Sequence, residues 1–359
     1  NVHPGDAEKP LNLVFDYLEV IERDVRQGKK VKCVVWDLDN TLWHGVLIEN
    51  KDVKPREEFV DLIRTLDHKG IVNSIASKNN IEDVEEKLRQ IGIADLFVFK
   101  KVNWNPKSAN LALTVKQMNI NPDTVVFVDD NEFERMEVAQ KLPSVTCVHP
   151  DELLDFVQCE RFDVTVTDDS MKRRVTYHMM EQLKEEEERW DGDIDDFLKS
   201  CKITATLRHP SDGETKRCYE LLQRTNQLNA SGRRLSLEEA ASLVHDPKHS
   251  CYVISSDDKF GNYGIVGFIA VDEAGDVPVI TDFVISCRVA NKKIEPTVVN
   301  YLARKSGMIL FNYKITKLNG PMFQITKELN MSMVETKEEC RVYRHEYNPE
   351  YGDVVKVMA

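Results

Sequence analysis

The sequence predicts a doubly wound α/β domain followed by an α+β domain, and three observations lead there. Through roughly the first 150 residues, short apolar runs alternate with segments of helical periodicity, the pattern of βαβ units with right-handed crossovers and a parallel sheet covered on both faces. A strongly polar stretch, Met171–Trp190, then interrupts the chain. Beyond it strand-like runs follow one another before a further helix, which suits a largely antiparallel sheet. The expected boundaries are 1–165 for the first domain with its N-terminal helix, 166–195 for a charged helical linker and 196–359 for the second domain.

Taken in order, Leu11, Val14, Phe15, Leu18, Ile21 and Val25 recur at helical spacing, and Gly28 stops the pattern ahead of the apolar run Val31–Trp36. The spacing then predicts a helix near Arg56–His68, a strand over Ile71–Ala76 and a helix over Ile81–Ile91. A short strand at Leu96–Phe99, a helix after Lys107, a strand at Thr124–Val128 and a helix over Phe133–Leu142 complete the first domain. The glutamate-rich run Lys184–Arg189 reads as a solvated helix joining the domains. In the second domain a strand is expected near Ile203–Leu207 and helices near Thr215–Leu228 and Ser236–Val244. Strands follow at Cys251–Ser255, Ile265–Val271 and Val279–Cys287, the last feeding a helix over Pro296–Ser306.

With 359 residues, 42% hydrophobic and 30% charged, the chain can bury two cores. No apolar run approaches the ~20 residues that span a bilayer, so no membrane partner is expected. The Asn1–Pro10 segment has no basic-then-apolar signal pattern, and the cytoplasm is the expected compartment. A formal charge of −13 speaks against nucleic acid, whose binding depends on Lys and Arg that neutralise phosphates. Eight scattered cysteines without a C-x-x-C pair suggest reduced thiols, mostly small buried hydrophobes.

The apolar run Val34-Val35-Trp36 ends in Asp37 and Asp39, two carboxylates one residue apart. Residues i and i+2 of a strand share a face, so both are expected to point into one space at the C-terminal sheet edge, where open α/β sheets bind ligands. Like charges so close call for a cation, and hard oxygen ligands suit Mg²⁺. A second acidic pair, Asp129-Asp130, follows the strand Val125–Val128 to the same edge. Ser77 ends a strand where its hydroxyl and nearby amides can hold a phosphate oxygen, and Lys107 opens a helix as a fixed positive charge. Together they read as phosphoryl transfer with a carboxylate nucleophile, a second carboxylate for the proton, and Mg²⁺, Lys and Ser neutralising the transferring group.

These residues resemble the four motifs of the haloacid-dehalogenase (HAD) superfamily, namely Asp37-Leu38-Asp39-Asn40-Thr41, Ser77, Lys107 and Asp129-Asp130. The resemblance implies that Asp37 is the nucleophile forming an aspartyl-phosphate, and that Asp39 is the acid/base that also lends its backbone carbonyl to Mg²⁺. It implies phosphate binding by Asn40, Thr41, Ser77, Lys78 and Lys107, and a metal shell of Asp37, Asp39 and Asp129. The stretch between Thr41 and Ser77 reads as one loop and one helix, too short for a large cap domain.

The stretches Cys33–Trp43, Ser77–Asn80, Trp104–Ser108 and Val128–Arg135 resemble, more narrowly, the FkbH-like branch. Thr225–Asn229, Arg233-Arg234 and Ser286-Cys287-Arg288 extend the likeness into the second domain. FkbH-like proteins join a HAD domain to an N-acetyltransferase-like (GNAT) domain. The resemblance implies a glyceryl transferase and phosphatase of polyketide biosynthesis, which takes bisphosphoglycerate or a related phosphorylated small molecule and loads a glyceryl thioester on the phosphopantetheine arm of an acyl carrier protein. An acidic substrate and carrier call for a local basic patch, for which Arg233-Arg234 and Lys292-Lys293 are the candidates. Cys33 lies four residues before Asp37, so at ~3.3 Å per residue it sits roughly 13 Å back along the strand, as packing. Cys287, ending a strand beside Arg288, is the candidate acyl-carrying thiol, and Arg288 a candidate substrate contact.

The chain departs from the family patterns in two places. The GNAT pyrophosphate loop, R/Q-x-x-G-x-G/A, corresponds to Arg288–Lys293, with Asn291 and Lys293 in place of both glycines, which speaks against coenzyme A. His44 stands where the family commonly has glycine, at the mouth of the site. Two other readings remain open at this point: a plain HAD phosphatase whose second domain is a cap, and a non-catalytic module that docks a carrier protein.

Overall fold

The computed structural model describes residues 26–359, and the helix expected over Leu11–Val25 lies outside the described residues. The chain divides into two compact units between Val166 and Thr167. No helix among the described residues is long and apolar enough to cross a membrane.

The first unit runs β1 (Cys33–Trp36), a small hairpin β2 (Trp43–His44) and β3 (Lys54–Pro55), α1 (Glu57–His68), β4 (Val72–Ser77), α2 (Ile81–Ile91), β5 (Lys101–Val102), α3 (Lys107–Met118), β6 (Val125–Val128), α4 (Glu132–Lys141), β7 (Thr146–Val148) and α5 (Pro150–Phe156). Five of its strands form one sheet, paired in parallel in the order β5-β4-β1-β6-β7. This is the expected α/β class, and between Thr41 and Ser77 the chain makes only the hairpin and α1. The chain leaves β1 toward β4 and later crosses back to β6, so the strand order reverses between β1 and β6, the point where ligands of such sheets bind. Every residue of β1 and β6 is buried, which explains why both read as unbroken apolar runs.

Helix α2 keeps its expected bounds because both ends are written locally. The Asn80 side chain accepts from the Glu82 and Asp83 amides, and Gly92 closes the helix at φ 77°. The strand expected at Leu96–Phe99 lies instead at Lys101–Val102. A 3₁₀ turn at Ala94–Leu96 uses up the apolar residues, and Phe97 makes only an isolated bridge to Asn73.

The second unit runs α6 (Asp168–Met171), α7 (Arg173–Glu188), α8 (Ile194–Ser200), β8 (Ile203–Arg208), α9 (Thr215–Arg224), α10 (Leu237–Val244), β9 (His249–Asp258), β10 (Gly261–Asp272), β11 (Val279–Ile285), α11 (Ile294–Ala303), β12 (Met308–Lys314), α12 (Gly320–Glu328), β13 (Ser332–Lys337), β14 (Cys340–Glu346) and β15 (Val355–Met358). Its sheet has the order β13-β14-β12-β11-β10-β9-β8-β15 and is mixed, because β11 pairs with β12 and β15 with β8 in parallel. The α+β class holds. The polar segment expected to be a solvated linker is α7, which buries Arg173, Thr176, Tyr177 and Met180 on one face.

Strands β11 and β12 pair only at Val279/Leu310 and Ile280/Phe311. Past that point the segment Leu228–Ala230 lies against β11. Ala230 N donates to Phe283 O and Ile285 N to Leu228 O, each at 2.9 Å, while Lys314 N at the end of β12 donates to Ala230 O at 2.9 Å. The helix expected to reach Leu228 ends at Arg224 for this reason, since the residues after it bond as extended chain. Asn319, fully buried, locks the segment by donating to Asn229 O at 2.9 Å.

Candidate active site

Two adjacent strand ends bring the acidic residues together. Asp37 N donates to Val128 O at 2.9 Å, which ties the residue after β1 to the end of β6 and sets Asp37 beside Asp129. Asp129 is held in turn by Asn131 N on its Oδ1 at 2.8 Å and by Arg135 on its backbone oxygen at 2.8 Å. Lys107 reaches in from the first turn of α3, with Nζ 2.8 Å from Asp37 Oδ1 and 2.6 Å from Asp129 Oδ2. Exposure of these three residues is 5%, 0% and 4% for Asp37, Asp129 and Lys107. Glu137 of α4 accepts from both the amide and the hydroxyl of Ser108, which satisfies the start of α3 and fixes Lys107 in place.

The electrostatics follow from burial. Burial pushes the Asp37 carboxyl up to about 7, Asp129 adding to the effect and Lys107 opposing it. Asp129 is likewise raised by burial against Lys107. Burial opposes the charge on Lys107, but Asp37 and Asp129 outweigh it and raise its pKa. One lysine therefore shares two carboxylates, and Asp130 makes a third, since carboxylate oxygens of Asp37, Asp129 and Asp130 lie within 4.8 Å of one another. A hard divalent cation fits this set of oxygens, which holds more negative charge than Lys107 answers. Asp37, Asp129 and Asp130 are the side chains that would hold it.

Asp39 stands apart from that cluster. Its Oδ1 accepts from Trp43 Nε1 at 2.8 Å and Leu47 N at 3.0 Å, and its Oδ2 from Asn79 Nδ2 at 2.9 Å. β1 ends at Trp36 and the chain turns through Asn40 at φ 54°, so strand alternation does not set the direction of the Asp39 side chain. A metal role for Asp39 then rests on the backbone carbonyl that the resemblance implies.

The expected phosphate-binding residues divide into two groups. Ser77, 1% exposed, ends β4 next to β1. Thr41, fully buried, accepts from Asp130 N at 3.1 Å and so joins the first motif to the last. Asn40 is exposed and its Oδ1 accepts from Gly45 N at 3.1 Å, closing the turn. Lys78 pairs with Glu134 at 2.6 Å, and His44 is exposed in β2. Sequence reasoning passed over Asn79, Glu134 and Glu137, although all three lie within or next to the motif stretches.

In the second unit Cys33's counterpart as a candidate thiol, Cys287, is half-buried in a single 3₁₀ turn after β11. Cys33 itself is fully buried, and burial raises its thiol pKa. Arg288 is 5% exposed. Asn291 and Lys293 both take left-handed backbone, φ 66° and 59°, so the loop keeps at both former glycine positions the conformation that glycine favours, and adds side chains there. Each of the four cations expected to form a basic patch has a partner within the unit. Arg233 forks onto Asp282, Arg234 bonds Leu222 O and Asn226, Lys292 is buried on Asp258 at 2.7 Å, and Lys293 pairs with Asp195 at 2.6 Å.

Residues 44–141 match the haloacid dehalogenase-like hydrolase family, a stretch that takes in Ser77, Lys107 and Asp129 and begins after Asp39. The first unit thus carries a HAD-type hydrolase domain. The chain is similar to the N-terminal part of the protein BF1531 from Bacteroides fragilis, a structure containing a phosphatase domain complexed with Mg, at 29% identity and TM-score 0.34, covering 37% of this chain and 40% of that one. It is also similar to the ribosomal-protein-S18-alanine N-acetyltransferase from Escherichia coli, at 9% identity and TM-score 0.31 over 42% of this chain and 99% of that one. The GNAT domain of S. lividans PAT matches at 9% identity and TM-score 0.32, over 39% and 89%. No curated protein matches the chain by sequence.

Proposed function

We propose that this chain is a Mg²⁺-dependent bifunctional glyceryl transferase and phosphatase. The reading is that it takes bisphosphoglycerate and delivers a glyceryl unit as a thioester to the phosphopantetheine arm of an acyl carrier protein in polyketide biosynthesis. The observation that carries the phosphatase half is the Asp37–Lys107–Asp129 group, with Asp39 held separately by Trp43, Leu47 and Asn79.

In this reading an Asp37 oxygen attacks phosphorus, and the leaving alkoxide takes its proton from Asp39. Water then attacks the aspartyl-phosphate and Asp39 takes the water's proton, which returns both carboxyls to their starting state. Lys107 and Ser77 hold the phosphoryl oxygens. A bound Mg²⁺ would draw negative charge from those oxygens and from the carboxylates around it. Asp37 lies against Lys107 while Asp39 is held by Trp43, Leu47 and Asn79, so the attacking group and the proton carrier are positioned independently. In the second unit, Cys287 is the residue proposed to accept the acyl group from an acyl phosphate and pass it to the carrier thiol.

A plain HAD phosphatase is the second reading, favoured by the internal pairing of Arg233, Arg234, Lys292 and Lys293, each of which already has a partner within the unit. Intact-protein mass spectrometry after incubation with Mg²⁺, bisphosphoglycerate and a phosphopantetheinylated carrier separates the two. A glyceryl or phosphoglyceryl mass gain on the carrier or on the enzyme supports transfer; free phosphate with both proteins unmodified leaves the phosphatase. Loss of phosphate release in Asp37→Asn is expected under either, and unchanged release would sink both.

A further inference from the structure

Arg288 is 95% buried and carries no ion pair among the described residues. Its Nη1 donates to Thr176 Oγ1 at 2.6 Å and its Nε to Ser286 Oγ at 3.1 Å. Both partners are neutral hydroxyls. A guanidinium removed from water needs an anion as well as acceptors, since hydroxyl dipoles replace its hydration only in part.

The surroundings deepen the deficit. Arg217, also buried, bonds the Glu220 carboxylate at 2.5 Å and the Ile265 carbonyl, and Arg173 bonds the same Glu220. Asp169 stands 3.5 Å from Arg217, with its Oδ1 accepting from Ile265 N. Neither carboxylate bonds Arg288. Burial first, then repulsion from Arg217 and Arg173, holds the Arg288 guanidinium below the ordinary arginine range, and Glu220 offsets this only in part. Helices α7 and α9 and the turn after β11 thus bring three buried arginines together, and Arg288 is the one that meets only the hydroxyls of Thr176 and Ser286.

We propose that Arg288, backed by Arg217 and oriented by Thr176 and Ser286, is an anion-recognition site that takes the phosphate group of a small phosphorylated ligand in the second unit. A phosphate offers the planar fork of a guanidinium two oxygens at once, and it brings the charge that the surrounding arginines lack. The site is distinct from the aspartate centre, which meets phosphate through Lys107 and Ser77.

Arg288 also follows Cys287 directly in the chain. Where the ligand is an acyl phosphate, the thiolate sulfur of Cys287 forms a bond to the acyl carbon as the carbon–oxygen bond to phosphate breaks. The electron pair leaves with the phosphate, whose charge Arg288 receives. This last step rests on the acyl-transfer reading above, whereas the binding of phosphate does not.

The test is calorimetric titration of the full chain with inorganic phosphate and with glycerol 3-phosphate, in magnesium-free buffer with chelator and against acetate as a control. Binding is expected in the wild type and in Lys107→Met, with at least tenfold weaker binding in Arg288→Gln. Binding lost in Lys107→Met and kept in Arg288→Gln overturns the proposal, as does no binding to the wild type. Should Arg288→Gln fail to fold, Thr176→Val keeps the guanidinium and removes one orienting hydroxyl; affinity at least threefold lower is expected, and unchanged affinity counts against the site. No turnover enters the titration, so a failed transfer assay and a failed binding site are told apart.

Discussion

Asn79 Nδ2 donates to Asp39 Oδ2 at 2.9 Å, reaching from the loop after β4 to the loop after β1. The bond restrains a side chain that two donors on its own loop already hold by the other oxygen. Asn79→Ala should therefore lower kcat more than it raises KM, because Asp39 is proposed to act on the leaving group and not on binding. A bond of this kind is worth roughly 1.5 kcal/mol, or about tenfold in rate. Steady-state kinetics on a phosphate monoester checks it, and a change confined to KM would contradict the assignment.

Lys107 is the counter-ion of two buried carboxylates. Its removal in Lys107→Ala leaves both uncompensated, at a cost of roughly 3 kcal/mol in metal-free protein. Thermal melts with chelator should show the loss clearly, and Mg²⁺ should raise the melting temperature of the variant more than that of the wild type. An equal rise in both proteins would mean that lysine and cation do not share the same charge deficit.

Glu295 gives a pH prediction with a definite sign. It is buried, its Oε1 has no hydrogen-bond partner among the described residues, and burial, with Glu328 adding, pushes its carboxyl up to about 7. Between about pH 4.5 and 7 the folded chain holds a proton that the unfolded chain has released, so this group's contribution to stability falls as pH rises through that window. Glu295→Gln should remove that slope, stabilising the protein at pH 8 by on the order of 3 kcal/mol and changing little at pH 4.5. Denaturant unfolding at the two pH values is the measurement.

Asn319 makes four side-chain bonds within one buried corner. It donates to Asn229 O and Lys314 O and accepts from Tyr313 Oη and Thr316 N. Asn319→Ala orphans several of these groups at once and should cost roughly 3 kcal/mol. A drop in the urea midpoint at unchanged slope is the expected result.

Much of the first unit is legible because its site residues punctuate apolar strands. Asp37, Ser77 and Asp129 each stand where a buried run meets the C-terminal sheet edge, and a chain-order reading finds them without knowing the pairing. Asp39 shows where that reading stops. Its orientation depends on a left-handed turn at Asn40 and on an amide contributed by Asn79, neither of which is a periodicity. Glu134 and Glu137 were passed over for a related reason, since acidic residues on a helix read as a solvated face until Lys78 and Ser108 are seen beside them. In the second unit the mixed sheet was illegible because β15 joins β8 from the far end of the chain. The arginine cluster was hidden because α7 looks polar along its whole length, and only packing reveals that Arg173 and Thr176 face inward.

The filling of the gap between β11 and β12 by Leu228–Ala230 has a consequence for molecular recognition. An extended chain or thioester arm binds most simply to a sheet by lending its backbone amides to an open edge. Here that edge is already satisfied by the protein's own chain, so an incoming arm finds no ladder to extend. If this unit takes the proposed phosphorylated ligand, discrimination falls to side chains at the end of β11 such as Arg288, which respond to charge and shape and not to how long a strand the ligand can form.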